Sequence, residues 1–160
     1  MAKKRRPGPP QRDIARNRRA LFDYEIVERL EAGLVLLGSE VKALRERGAT
    51  IAEAYVVVRA GEAWLIGAHI ADYPNAPEGH DPGRTRKLLL HRREIERLSS
   101  DLAQKGLAVV PLRLYFKDGR AKLELGVGRG RAHHDKRHAI REREDRREAE
   151  RAVKAAVRRR

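Results

Sequence analysis

Apolar and polar residues alternate through YEIVERLEAGLVL, residues 24–36, and this two-residue period with its β-branched side chains predicts a strand, with Gly33 as a bulge or bend. The period then changes. In GSEVKALRERG, residues 38–48, Val41 and Leu44 stand three apart, Ser39 occupies a capping position and Gly48 suits a helix end, so a short helix is predicted. AYVVVRAGEAWLIGAHI, residues 54–70, predicts a hairpin turning at Ala60–Gly61. Its apolar residues fall on both faces, as in the buried wall of a barrel. Residues 71–84, ADYPNAPEGHDPGR, hold three Pro and two Gly and predict a long loop, whose length points to function or mobility. Leu88, Leu89 and Leu90 then lead into a helix carrying Ile95, Leu98 and Leu102 at helical spacing and closed by Gly106.

The hairpin LAVVPLRLYFKDGRAKLELGVG is the most informative stretch, because Asp118–Gly119 is a two-residue turn that sets the register. Lys117 then pairs with Arg120, Leu114 faces Leu123 and Leu112 faces Leu125, all four leucines lining the core. The other face pairs Arg113 with Glu124 and Tyr115 with Lys122, a basic, partly aromatic outer surface.

These elements describe a mainly β chain with inserted helices, and 160 residues suffice for one domain. Charge divides it further. Residues 1–19 hold 8 Lys/Arg against 1 Asp/Glu and residues 129–160 hold 13 against 6, whereas residues 20–128 balance at 16 of each. The expected organisation is a basic arm (1–19), a neutral barrel (20–128) and a basic tail (129–160). Such ends suit a polyanion, and their richness in Arg, which grips phosphate oxygens in pairs, favours nucleic acid. There is no Cys. No apolar run is long enough to span a bilayer, and MAKKRRPGPPQRD lacks the apolar stretch of a secretory signal, so a cytoplasmic protein with no membrane partner is expected.

Catalytic patterns are missing. There is no Cys nucleophile, no G-x-S-x-G elbow and no phosphate loop before a Lys-Ser/Thr pair. GVGRGR, residues 126–131, reads as a flexible exit from the barrel. His134 and His138 stand four apart, but with no evident third ligand and with Arg and Lys around them they make a poor metal site. A lone Asp135 has no partner for hydrolysis. We therefore expect no enzyme, no cofactor and no metal.

The stretches NRRALFDY, EAGLVLLGSEVKALR, DPGRTRKLLLHRREI and HDKRHAIREREDRREAER, in this order and spacing, resemble the SsrA-binding protein (SmpB) family over about residues 15–150. The resemblance implies an oligonucleotide-binding (OB-type) β-barrel with embedded helices, without enzymatic activity, that binds the tRNA-like domain of transfer-messenger RNA and brings it to stalled bacterial ribosomes for trans-translation. Its implied RNA-binding residues are Asn17, Arg18, Arg19, Glu31, Lys42, Arg84, Arg86, Lys87, Leu89 and Lys122. Glu31 would orient a neighbouring Arg or accept from a base or ribose hydroxyl. Gly130, His134, Asp135, Lys136, Arg137, Ile140, Arg141 and Arg143 match the segment that enters the decoding centre and the empty messenger channel. Elongation factor Tu and alanyl-tRNA synthetase are implied partners through the shared RNA.

The tail agrees on its own terms. Ala149, Ala152, Val153, Ala156 and Val157 recur at helical spacing, and Glu142 with Arg146 and Glu150 with Lys154 form i,i+4 pairs. With so little apolar surface, it is expected to be disordered when free and helical when bound. Four departures from the family pattern stand out: Leu21 and Phe22 replace a basic residue and His, Gly83 replaces Arg or Thr, and Asp145 stands where many members have Trp. The rival readings are a general basic ribosome-associated RNA-binding protein without a dedicated partner RNA, and a nuclease, which would need clustered carboxylates.

Overall fold

A computed structural model describes residues 12–74, 79–104, 106–131 and 133–158, with the side chains of 133–139, 142 and 156–158 left aside. The elements run β1 (Arg12–Arg16), α1 (Ala20–Asp23), β2 (Tyr24–Leu34), α2 (Gly38–Glu46), β3 (Ala49–Thr50), β4 (Tyr55–Arg59), β5 (Glu62–Ile66), β6 (His69–Ile70), β7 (Arg86–Leu89), α3 (Arg92–Ala103), β8 (Leu107–Lys117), β9 (Arg120–Gly130) and α4 (His133–Arg158). Seven strands form one antiparallel sheet in the order β1-β8-β9-β2-β7-β5-β4, and β3 pairs with β6 separately. The sheet curls until β4 packs against β8. This is the mainly β, OB-type barrel with embedded helices that the sequence implies.

Two tight turns set the registers. Asp118 and Gly119 have φ of 53° and 76°, and Ala60 and Gly61 have 50° and 74°, the paired left-handed conformations of a two-residue hairpin. The β8–β9 ladder follows the expected pairing from Lys117↔Arg120 through Tyr115↔Lys122 and Leu114↔Leu123 to Arg113↔Glu124. It then departs from it. Leu125 pairs with Pro111, so Leu112 is bulged out and leaves the core face. Proline has no N–H to offer the ladder, and the Asn17 side chain takes the Pro111 carbonyl at 2.9 Å while the Asn17 N–H takes that of Leu112 at 2.8 Å.

The main core fills the barrel with Ala32, Leu44, Val56, Leu65, Leu88, Leu98, Leu114, Leu123, Leu125 and Val127. A second cluster of Ala20, Val110 and the displaced Leu112, joined by Tyr24 and Ile26, lies apart from it. Gly126 and Gly128 make room for this cluster. A Cβ on Gly126 would stand 2.9 Å from Leu112 and 3.1 Å from Ile26, and one on Gly128 would meet the Glu25 carbonyl at 2.9 Å. Of the glycines expected to form a flexible exit, Gly126 and Gly128 are therefore buried within β9, which continues to the exposed Gly130. Arg131 extends the attachment by donating its N–H to the Asp23 carbonyl at 2.8 Å.

Further differences have local causes. The bulge in β2 lies at Val27, between Ile26 and Glu28, and Gly33 marks instead the point where β2 pairs with both β9 and β7. Glu40, not Ser39, caps α2 by accepting the Leu37 N–H at 2.8 Å. Ser39 is engaged by the 71–84 loop, through the Gly79 carbonyl at 3.3 Å and the His80 ring at 2.9 Å. The β4–β5 hairpin buries one face only: Val56, Ala63 and Leu65 are buried, while Tyr55 is exposed and Trp64 partly so. Residues 12–19, basic in composition, are built into the fold as β1 and the buried Asn17.

Candidate nucleic-acid interface

Residues directly opposite each other in antiparallel strands point to the same side, so the strand registers map the outer face of the sheet. Gly33 is opposite both Lys122 and Leu89, which places these three in one row across β9, β2 and β7. Two residues along β2, Glu31 is opposite Glu124, which is itself opposite Arg113. Lys122, Glu31 and Leu89, far apart in sequence, thus share one patch. Leu89 is 54% exposed and folds over Gly33, where a Cβ would stand 3.2 Å from that of Leu89. An exposed leucine held against a glycine in a polar face leaves a flat apolar step flanked by charge.

Glu31 is held by two partners on β8. It accepts a short hydrogen bond from the Tyr115 hydroxyl, and Lys117 Nζ lies 3.4 Å from its carboxylate. The Tyr115 hydrogen bond, aided by Lys117, holds the Glu31 carboxyl below its ordinary range against partial desolvation. Burial, then the Glu31 carboxylate, push Tyr115 well above its ordinary value, so it remains a donor. Tyr115 is 2% exposed and stacks under Arg113, whose guanidinium is 4.3 Å from the ring centre. The expected solvated tyrosine is instead a buried prop, and among the described residues Glu31, expected to orient a neighbouring Arg, is engaged by Tyr115 and Lys117.

The remaining predicted residues separate into three groups. Arg18 and Arg19 are exposed beside α1, Arg19 Nε lying 3.3 Å from Asp23. Lys42 is exposed on α2 with Nζ 6.0 Å from the Tyr73 ring centre, and Lys87 pairs with Glu62 at 2.9 Å on the outer face. Asn17 and Arg86 belong to the interior. The Asn17 side-chain NH2 donates to the Pro111 and Ile51 carbonyls, and its Oδ1 accepts from the Ala20 N–H. Arg86, fully buried, donates to Glu40 Oε2 at 2.5 Å, the Ala68 carbonyl at 2.9 Å and the Pro82 carbonyl at 3.1 Å. Both are buried, with every side-chain nitrogen engaged inside the protein. Arg84 is intermediate, one third exposed and bound at 2.5 Å to the same Glu40. Burial opposes ionisation of Glu40, but hydrogen bonds from Arg84, the Leu37 N–H and Arg86 outweigh it and hold the carboxyl below its ordinary range.

Residues 133–158 form one helix, where the sequence suggests disorder in the free chain. The side chains of His134, Asp135, Lys136 and Arg137 lie outside the described residues, whereas Ile140 and Arg141 are exposed along α4. Arg143 stacks on Phe22 of α1, 4.8 Å from the ring centre, and gives the helix a foothold on the barrel. Between α4 and the sheet is a cleft of about 970 Å³ lined by Arg16, Arg18, Arg29, Arg113, Arg131, Arg143, Arg146 and Arg147 against Glu124 and Glu150. Arg16, Arg29 and Arg131 were not among the sequence-predicted residues. The strand registers place Arg16 opposite Arg113 and Arg29 opposite Gly126, on the outer face, whereas half-buried Arg131 lies just past the end of β9.

The SmpB protein family model matches residues 14–155. The chain belongs to the SmpB family. Curated SsrA-binding proteins extend the match: that of Sulfurihydrogenibium is 47% identical over 145 residues, 90% of this chain and 95% of the relative, and that of Anaeromyxobacter dehalogenans is 52% identical over 146 residues, 91% and 90% of the two. The SsrA-binding protein of a Synechococcus is 52% identical over 148 residues, 91% of this chain and 96% of the relative. Among solved structures, a chain described as "tmRNA-SmpB: a journey to the center of the bacterial ribosome" superposes with a TM-score of 0.64 at 42% identity, covering 81% of this chain and 96% of that one. The SmpB match spans the barrel and most of α4, including the patch around Lys122.

Proposed function

We propose that this SmpB-family protein is an RNA-binding adaptor: the outer face of its barrel holds the tRNA-like domain of transfer-messenger RNA, and it carries that RNA to stalled bacterial ribosomes for trans-translation. The observation that carries the reading is the convergence of Lys122, Gly33 and Leu89 in one row beside a fixed Glu31. Lys122 supplies charge to a phosphate, Leu89 a flat apolar contact, and the oriented Glu31 an acceptor for a ribose hydroxyl or base amine, which phosphate contacts alone would not provide. The family relationship and the likeness to an SmpB chain on the ribosome support the same partners.

In this reading α4, arginine-rich and attached through Arg143 and Phe22, enters the vacant messenger channel and contacts its RNA, and an occupied channel excludes it sterically. Elongation factor Tu and alanyl-tRNA synthetase meet the complex through the shared RNA. The protein acts in the cytoplasm, without cofactor or catalysis. No helix among the described residues is long and apolar enough to cross a membrane.

Truncation after Arg131 tests the division of labour, because β9 and its last backbone tie are then intact. Affinity for the tRNA-like domain should stay within about three-fold, a difference of roughly 0.6 kcal/mol, while tagging of nascent peptides on stalled ribosomes is lost. Equal loss of both would show that barrel and tail do not act separately.

A further inference from the structure

The β4–β5 hairpin carries an aromatic surface to which no role has been given. Trp64 is opposite Lys87 on β7 and Val57 on β4, so it shares the outer face with Lys87 and, two residues along β7, with Leu89. Its neighbours in sequence, Ala63 and Leu65, point into the core and are fully buried, but the indole is not. Trp64, Val57 and Ile66 form an open apolar hollow whose rim is Arg59, Glu62 and Thr85. Arg59 is exposed and makes no ion pair among the described residues, while Lys87 holds Glu62 at 2.9 Å.

We propose that this hollow is a stacking subsite for one nucleobase of the bound RNA, with Trp64 as the platform and Arg59 as the phosphate contact. The proposal rests on the reading that the Lys122 face binds RNA, and it extends that face across two further strands. From Lys122 on β9 to Trp64 on β5 is three strand spacings across and two residues along, about 16 Å over the sheet, within reach of the same RNA. Charge selects the occupant. An aliphatic protein side chain would cover the indole but leave Arg59 without a counter-ion, whereas a nucleotide brings a π-face and an anion together. A second copy of the chain, at a net charge of +14, would be repelled. Stacking also suits a surface that lacks a fixed donor and acceptor pattern, since every base presents a π-face.

Trp64 is the single tryptophan of the chain, so its emission reports this hollow alone. The full-length protein is titrated with end-labelled tRNA-like domain, with RNA anisotropy and Trp64 emission read in parallel. We expect the emission to be quenched and to saturate at the same concentration as the anisotropy. Trp64→Ala should weaken binding at least about five-fold, the lower end of what one stacked base contributes, and Trp64→Phe should recover most of the loss. Arg59→Ala should weaken binding about two- to three-fold and reduce the salt slope by roughly 0.7. Circular dichroism checks each fold, and if Trp64→Ala unfolds, the Arg59 variant and the wild-type emission titration carry the comparison. Normal anisotropy with unchanged emission, and Arg59→Ala and a folded Trp64→Ala indistinguishable from wild type, overturns the subsite while leaving the RNA face intact. An emission change that depends on protein concentration without RNA overturns it in favour of self-association. Equal binding of an unrelated structured RNA overturns the RNA-adaptor reading and the subsite with it.

Discussion

Replacing Arg86 with Met separates a structural role from an RNA-binding one at the position where sequence and structure differ most. The methionine keeps a long flexible stem but removes a guanidinium that is fully buried and bonded to Glu40, Ala68 and Pro82. Breaking a buried pair by deleting one partner costs about 3–5 kcal/mol, since the remaining charge stays desolvated. Glu40 is not left wholly alone, because Arg84 at 2.5 Å and the Leu37 N–H at 2.8 Å still reach it. The Pro82 carbonyl also keeps the Ile70 N–H at 3.0 Å. The lower end therefore applies, about 3 kcal/mol, or a fall in Tm of roughly 6–12 °C for a domain of this size. Urea denaturation gives the stability, and RNA binding measured well below the new midpoint should be within about two-fold of wild type. A variant of unchanged stability that no longer binds RNA would refute the reasoning and return Arg86 to the interface.

Three further outcomes follow from the packing and the charges. Gly126→Ala places a methyl group against Leu112 and Ile26, and overpacking of this kind should cost about 1–3 kcal/mol in urea melts; a neutral result would mean that the second cluster is loosely packed. The folded pKa of Glu40 lies below its ordinary 4.5, so its contribution is complete above that value and is lost as the pH falls through the lower folded value. Stability measured from pH 7 to pH 3 should accordingly fall on the acid side, and less steeply in Glu40→Gln; identical slopes would remove Glu40 as the cause. Ala60 has φ of +50°, where an L side chain is strained, so Ala60→Gly should leave stability unchanged or raise it by about 0.5 kcal/mol, and a loss above 1 kcal/mol would contradict the turn geometry.

Features governed by local rules were legible in the sequence. Asp118–Gly119 dictated the register as far as Arg113↔Glu124, because a two-residue turn leaves the ladder no alternative until something interrupts it. Pro111 is that interruption, and a proline within a strand is a visible sign of a bulge, but the destination of Leu112 depends on α1 and on two glycines elsewhere. Gly126 and Gly128 misled because an absent side chain shows no hydropathy; their meaning lies in the neighbours that fill the space. Arg86 misled for the opposite reason. A run of basic residues suggests a phosphate surface, yet β7 alternates, so Lys87 and Leu89 face outward while Arg86 and Leu88 face in, where Glu40 from α2 awaits the charge. The family motifs brought Glu31, Leu89 and Lys122 into one list, and the registers put all three on one outer face of the sheet. Trp64 belongs to the same face but carries no charge, so a reading led by basic residues passed over it.

The most direct test of the adaptor account is a competition between the tRNA-like domain of transfer-messenger RNA and an unrelated structured RNA of equal length, across a salt series. The account predicts that both affinities fall with salt but that a preference for the tRNA-like domain persists at high salt, and that Lys122→Ala lowers that affinity roughly ten-fold, the effect of one charge-assisted contact. Equal affinities at every salt concentration, unchanged by Lys122→Ala, would contradict it and leave a general basic RNA-binding protein.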